Sequence, residues 1–148
     1  MKRLFLTIIL SLSVFSARAD WADDFRYSYY TISEGLCDDY ATSTYMDKDG
    51  YLWICTYNGL DRFDGYRFDH YNSQSPVASR RINNNFVYGV AEDGANGIWA
   101  ASNTGIVRID KNNDVVIMPE QMGQFRRYVS APMVGIMRQR DNLIWALK

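Results

Sequence analysis

Trp53, Trp99 and Trp145 stand 46 residues apart, and the sequence around them repeats in step. Tyr51-Leu52-Trp53-Ile54 falls on Gly97-Ile98-Trp99-Ala100 without a gap, and that on Leu143-Ile144-Trp145-Ala146. Downstream, Thr56, Gly59, Leu60, Arg62 and Asp64 fall on Ser102, Gly105, Ile106, Arg108 and Asp110. Upstream, Leu36, Tyr40 and Asp47 fall on Ile82, Phe86 and Asp93. A fixed period of this length means one supersecondary unit used several times. Each copy must bury its apolar face against its neighbours.

Within a period, short β-rich runs alternate with turn residues. Thr42–Met46, Tyr51–Thr56, Leu60–Phe63 and Tyr66–Tyr71 read as four strands. Asp47 to Gly50, Tyr57 to Gly59 and the pair Asp64-Gly65 read as the turns between them. Asp-Gly favours the positive φ of a two-residue hairpin loop. The second copy gives Phe86–Ala91, Gly97–Ala101, Ile106–Ile109 and Val115–Met118. Four antiparallel strands in one such period make a β-propeller blade. The fold class is therefore all-β: blades of four antiparallel strands, an incomplete propeller of about two and a half blades. The expected units are an outer strand at 25–30, blades at 36–71 and 82–118, and a partial blade at 133–148. Helical periodicity is absent beyond the N-terminal segment. The polar spacer from Asn72 to Asn85 carries the chain from the outer strand of one blade to the inner strand of the next.

Residues 1–19 read as a secretory signal. Lys2 and Arg3 precede a mostly apolar run from Leu4 to Phe15, and Ala17-Arg18-Ala19 supplies the small residues before a cut at Asp20. The run is shorter than the roughly 20 apolar residues that span a bilayer. No later stretch is long enough, so the mature chain (20–148) is expected to have no membrane span. Lys2, Arg3 and Arg18 leave with the signal, so 16 basic side chains become 13 against 17 acidic, a formal charge of −4. That balance argues against a nucleic-acid partner, which would need a basic surface. At the other end the third copy stops at Lys148, three residues past Trp145. The chain is therefore expected to be an N-terminal fragment of a longer protein or the product of a shortened gene.

The run from Gly35-Leu36 through Asp47-Lys48-Asp49-Gly50-Tyr51-Leu52-Trp53-Ile54-Cys55-Thr56-Tyr57-Asn58-Gly59-Leu60-Asp61-Arg62-Phe63-Asp64-Gly65 resembles the two-component regulator propeller repeat. That repeat reads approximately acidic-x-x-G-x-L-W-I-G-T-x-x-G-L-x-R-Y-D-G. Cys55 replaces the usual Gly, and Ala101, Val107 and Lys111 depart from the pattern in the second copy. The resemblance implies the periplasmic sensor region of a hybrid two-component histidine kinase of the Bacteroidetes type. It implies a response to glycans, with further blades and downstream signalling domains as partners in a full-length protein. The only histidine, His70, lies on a predicted strand, so the chain carries no phosphoacceptor site of a kinase. It is expected not to be an enzyme. Two rivals stand beside the sensor: a secreted propeller enzyme acting on polysaccharide, and an interaction scaffold. The enzyme would need paired carboxylates converging on one face, whereas Asp47, Asp49, Asp64 and Asp93 sit in turns.

Trp53, Trp99 and Trp145 read as core residues between blades rather than sugar platforms, with Gly59 and Gly105 as the repeat's turn glycines. Asp47-x-Asp49-Gly50 is a hairpin turn rather than a calcium loop, since the twelfth position, Asn58, is not the Glu an EF-hand requires. Cys37 and Cys55 could pair in an exported protein, but nothing in the sequence brings them together. No metal site is expected, because neither thiol has a His nearby in sequence to complete a set of ligands. No cofactor is expected. Chain direction puts the loops before each first strand, and the turns between second and third strands, on one rim. The candidate ligand residues there are Tyr57, Asn58, Arg80, Arg81, Asn83, Asn84, Asn85 and Asn103. Aromatic, amide and guanidinium groups suit an oligosaccharide; the alternative is a polar solvated loop.

Overall fold

The structure, a computed structural model, describes residues 26–83, 85–118, 135–138 and 144–147. The expected signal peptide and Asn84 lie outside them.

β1 (Ala41–Met46), β2 (Leu52–Thr56), β3 (Gly59–Phe63) and β4 (Phe68–Tyr71) form a four-stranded antiparallel sheet in chain order. β5 (Val87–Glu92), β6 (Gly97–Ser102), β7 (Gly105–Asp110) and β8 (Val115–Ile117) repeat it. β9 (Gly135–Arg138) and β10 (Ile144–Leu147) form a third, antiparallel pair in which Trp145 lies opposite Met137. These are the strands of blades at the predicted places, with ends shifted by one or two residues. The first and second strands of both blades share an irregularity, between Ala41 and Ser43 and between Val87 and Gly89. A bulge recurring at the same step of the period is a property of the repeat.

Two expectations change. Arg26–Tyr30, expected as part of an outer strand, is irregular. Tyr30 instead packs its ring on Phe63 and Phe68, with centroids 4.9 and 5.6 Å away. The β3–β4 loop is also longer than the two residues Asp64-Gly65. Phe63 pairs with Phe68, leaving Asp64 to Arg67 as the turn. Asp64 causes this: its Oδ1 accepts the backbone N–H of Tyr66 at 2.8 Å and of Arg67 at 2.9 Å, closing a wider loop.

The core lies between the two sheets. Side chains alternate across a strand, so each sheet has two faces. Trp53, Cys55, Leu60 and Tyr71 line one face of the first sheet. They join Ile98, Ala100, Val107, Ile109 and Val116 of the second sheet in one apolar cluster, with Ile82, Val87 and Val90. Trp53, Cys55, Leu60 and Tyr71 are fully buried. The sheets are separate hydrogen-bonded ladders. Side chains bridge them at the inner strands. Thr42 Oγ1 lies 2.7 Å from Val87 O, and Ser43 Oγ donates to Tyr88 O at 3.0 Å.

Gly59 and Gly105 open the third strands at φ +141° and +136°. A Cβ at Gly59 would stand 2.9 Å from both Asn72 Cβ and Tyr71 O, so the turn accepts no larger residue without moving.

Candidate functional site

One end of the blades carries the loop before β1, the β2–β3 turn and the spacer entering β5. These three segments meet. Tyr57 N–H donates to Tyr40 O at 3.2 Å. Asn58 Nδ2 donates to Cys37 O at 3.3 Å, and Asn85 Nδ2 donates to Asn58 Oδ1 at 2.8 Å. Above these amides the rings of Tyr40, Tyr57, Phe86 and Tyr88 run in sequence, with centroids 5.7, 4.3 and 4.5 Å apart. Tyr40 is 71% exposed and Tyr57 51%. The rim therefore presents aromatic faces flanked by side-chain amides.

The predicted rim residues divide. Tyr57, Asn58 and Asn85 come together. Arg81 and Asn83 are exposed on the spacer, with Arg81 Nε donating to Ser75 O at 2.9 Å. Asn103 is exposed on the β6–β7 turn. Arg80 does not join them. Its Nη1 bonds Asp69 Oδ1 at 2.6 Å, and its Nε and Nη2 bond Asp114 Oδ2 at 2.6 and 2.5 Å. Only 17% of its side chain is exposed. It ties β4 to the β7–β8 turn, where Tyr71 also donates its hydroxyl to Asp114. Tyr40 was missed because the aromatic before β1 gains meaning only once the β2–β3 turn stacks on it.

The opposite end holds the β1–β2 and β5–β6 turns. Asp47 Oδ1 accepts the N–H groups of Asp49 and Tyr51 at 3.0 Å, and its Oδ2 accepts Trp53 Nε1 at 2.9 Å. Asp93 repeats this on Ala95, Gly97 and Trp99, all at 2.8 Å. The Asp and Trp of the period thus form a clamp that satisfies the indole N–H. Trp53 is fully buried in the core cluster, whereas Trp99 is half-buried and lies outside it. Burial pushes the Asp47 carboxyl up, but the bonds from Trp53, Tyr51 and Lys111 outweigh it and hold it below the usual range. Asp93 is lowered in the same way, with Arg108 the strongest of the groups that oppose burial. Asp47, Asp49 and Glu92 could hold a cation, and one already does so. Lys111 Nζ lies 3.1, 2.6 and 2.6 Å from them.

A further constellation was not foreseen. Asp61 and His70 pair across β3 and β4, and Cys37 from the loop before β1 reaches both. His70 Nδ1 lies 2.6 Å from Asp61 Oδ1 and 3.2 Å from Cys37 Sγ. The sequence argument against a metal set, that no His is near either thiol, does not hold for Cys37. Both cysteines are free thiols.

Residues 35–58 match the two component regulator propeller family. That match falls within the first blade and covers β1 and β2. The match runs from the loop before β1 through the β2–β3 turn, the segment that holds both the Asp47 clamp and the rim. Among solved structures, this propeller chain is similar to the extracellular domain of a hybrid two component system from B. thetaiotaomicron. The two are 25% identical over 80% of this chain and 17% of that one, with a TM-score of 0.64. The extracellular domain of a one component system from the same organism is 20% identical over 75% of this chain and 16% of that one, at a TM-score of 0.52. Virginiamycin B lyase from Staphylococcus aureus shares the fold at 16% identity and a TM-score of 0.52, over 76% of this chain and 36% of the lyase. The propeller chain thus spans about one sixth of the two regulator domains. No curated protein matches it significantly. Among the described residues no helix is long and apolar enough to cross a membrane.

Proposed function

We propose that this chain is part of a non-catalytic, periplasmic ligand-sensing propeller of a hybrid two-component protein, and that it responds to glycans. The propeller repeat and the likeness to extracellular domains of two-component regulators support the sensor reading. The observation that carries the ligand class is the exposed pair Tyr40–Tyr57, backed by the half-buried Phe86, beside the Asn58–Asn85 amide pair. Rings stack on the apolar faces of sugars, and amides donate and accept at their hydroxyls. The binding loops of a propeller belong to several blades, so the two described here supply one sector of the rim. Downstream domains would read its ordering as a shift between two states.

The test is calorimetry of the complete ectodomain containing this chain against a panel of host and plant oligosaccharides, beside a reducing-end release assay. Binding that is lost in Tyr57→Ala and weakened in Asn58→Ala, without release of sugar, is the expected result. Turnover of any glycan would replace the sensor with the enzyme. Unchanged affinity in both variants would remove this sector from the site.

A further inference from the structure

Among the polar clusters of the described residues, those around Asp47, Asp69 and Asp93 each hold a Lys or Arg, although Arg62 Nε is buried without a hydrogen-bond partner. Lys111 pairs with Asp47, Asp49 and Glu92, and Lys48 adds a second cation at Asp49 and Glu92. Arg62 and Arg80 neutralise Asp69 and Asp114. In the Cys37–Asp61–His70 cluster, Asp61 has no ion pair with a Lys or Arg among the described residues.

This cluster offers one imidazole nitrogen to two neighbours, and the one further donor to the thiol that the structure shows is Asn72 Nδ2, at 3.5 Å from Cys37 Sγ. Asp61 is fully buried, and its Oδ2 already accepts Cys37 N–H at 2.8 Å. Its Oδ1 faces His70 Nδ1, and the same nitrogen faces Cys37 Sγ. A ring nitrogen either donates one hydrogen or accepts one. If Nδ1–H donates to Asp61, it has no lone pair left for the thiol. If Nδ1 accepts from the thiol, a lone pair points at a carboxylate oxygen 2.6 Å away. One nitrogen therefore cannot serve both neighbours fully with a proton. A cation at the centre of the three atoms would serve all of them.

We propose that Cys37 Sγ, His70 Nδ1 and Asp61 Oδ1 bind one zinc ion, with solvent in the fourth position. The three donor atoms all lie within 4.8 Å of one another. The donor set is one sulfur, one imidazole nitrogen and one carboxylate oxygen, which suits zinc and excludes the all-oxygen shells of calcium and magnesium. Zinc–ligand distances of about 2.0–2.3 Å put tetrahedral donors roughly 3.3–3.6 Å apart. From 2.6 Å to Asp61 Oδ1 and 3.2 Å to Cys37 Sγ, His70 Nδ1 needs to part from each by less than about 1 Å. His70 is 38% exposed at its side chain, so the ion has a way in and room for water. Binding releases the thiol proton to solvent, and the neutral imidazole keeps its proton on Nε2. Burial, then the charge of Asp61, pushes the Cys37 thiol up in the metal-free state; the ion would reverse that. The period does not require these ligands. Positions 46 residues on hold Asn83, Val107 and Val116.

The ion would clip the segment before β1 to the outer strands β3 and β4. Cys37 O also accepts from Asn58, so the clip sits one hydrogen bond from the rim.

The test uses the full chain, reduced and metal-free, titrated with cobalt(II) and then zinc. One equivalent of cobalt should give a thiolate-to-cobalt charge-transfer band in the near ultraviolet, and zinc should abolish it. Cys37→Ser should lose the band, and His70→Gln should weaken binding, while Cys55→Ala should retain both. X-ray absorption of the zinc-loaded wild type should show one sulfur and otherwise nitrogen or oxygen, a readout that does not depend on any variant folding. No band in the wild type, a band surviving Cys37→Ser, or two or more sulfurs at zinc would overturn the proposal. Neither result touches the sensor reading, which rests on other residues.

Discussion

The two described blades share their Asp–Trp clamp but neutralise it differently. In the second blade Arg108 Nε bonds Asp93 Oδ2 at 2.8 Å, within the same sheet. In the first blade the equivalent Arg62 turns away, bonds Asp69 Oδ2 at 2.6 Å, and lies over the rings of Tyr51, Trp53 and Tyr71. Asp47 takes its cation from Lys111, which belongs to the neighbouring sheet. One position explains the arginines. Arg108 lies against Gly97, where a Cβ would overlap its guanidinium; the equivalent position in the first blade is Tyr51, whose ring occupies that space and supports Arg62 instead. The clamp itself follows from the period, but its counter-charge is set by two departures from it, Tyr51 against Gly97 and Lys111 against Gly65. Where the departures fall, a bond within one blade becomes a bond between blades.

The largest expected difference between the blades concerns the Trp pair. Trp53 is fully buried against the second sheet, while Trp99 is half-buried. Trp53→Ala should destabilise by about 3–5 kcal/mol, and Trp99→Ala by less, in urea unfolding of the full chain. Equal losses would mean that burial in this structure misstates the packing of the second blade.

Next comes the counter-charge. Lys111→Met removes the cation shared by the buried Asp47 and Glu92, leaving Glu92 with Lys48 Nζ at 3.4 Å and Asp47 with N–H donors alone, and should cost about 3 kcal/mol at neutral pH. Arg108→Met leaves Asp93 with the N–H groups of Ala95, Gly97 and Trp99, and should cost about 1–2 kcal/mol. The reverse order would show that the charge between blades is dispensable.

Acid sharpens the same contrast. Burial raises Asp47 and Glu92, but hydrogen bonds from Trp53 to the first, from Lys111 to both, and from their backbone donors outweigh it, leaving both lowered. Groups lowered in the folded state add stability above the ordinary carboxylate value of about 4, and lose it as pH falls through the folded values. Wild-type stability should therefore fall below about pH 4, and the gap to Lys111→Met should narrow there. A gap that holds constant down to pH 2 would place the Lys111 effect in packing rather than charge.

The smallest effect separates the two rim turns. Asn58 bridges Cys37 and Asn85, so Asn58→Ala should cost about 1 kcal/mol. Asn103→Ala, on the exposed β6–β7 turn, should stay within about 0.5 kcal/mol. Thermal unfolding of the two variants side by side decides it.

Strand positions were legible because the period fixes them several times over. Any one ambiguous end, such as that of β5, is resolved by its equivalent in the other copy. The register of β3 against β4 was not legible. Asp64-Gly65 signals a two-residue loop, and only the Asp64 side chain capping Tyr66 and Arg67 shows the turn to be wider. That shift decides that Asp61 faces His70. Cys37 then arrives from a loop more than twenty residues upstream, a contact no local pattern encodes. Arg80 failed for a related reason. A guanidinium in a polar spacer looks free until Asp69 and Asp114 are folded onto it from two different sheets.

Thr42 and Ser43 reach across to the carbonyls of β5 through hydroxyls, with no shared backbone ladder between the sheets. A junction made of side chains asks little of the chain on either side. The hydroxyls are not part of the repeat, since the positions 46 residues on are Tyr88 and Gly89, so this junction is particular to the first copy. Repeated strands joined by seams particular to each copy leave individual copies free to carry a Lys111 or a His70 of their own.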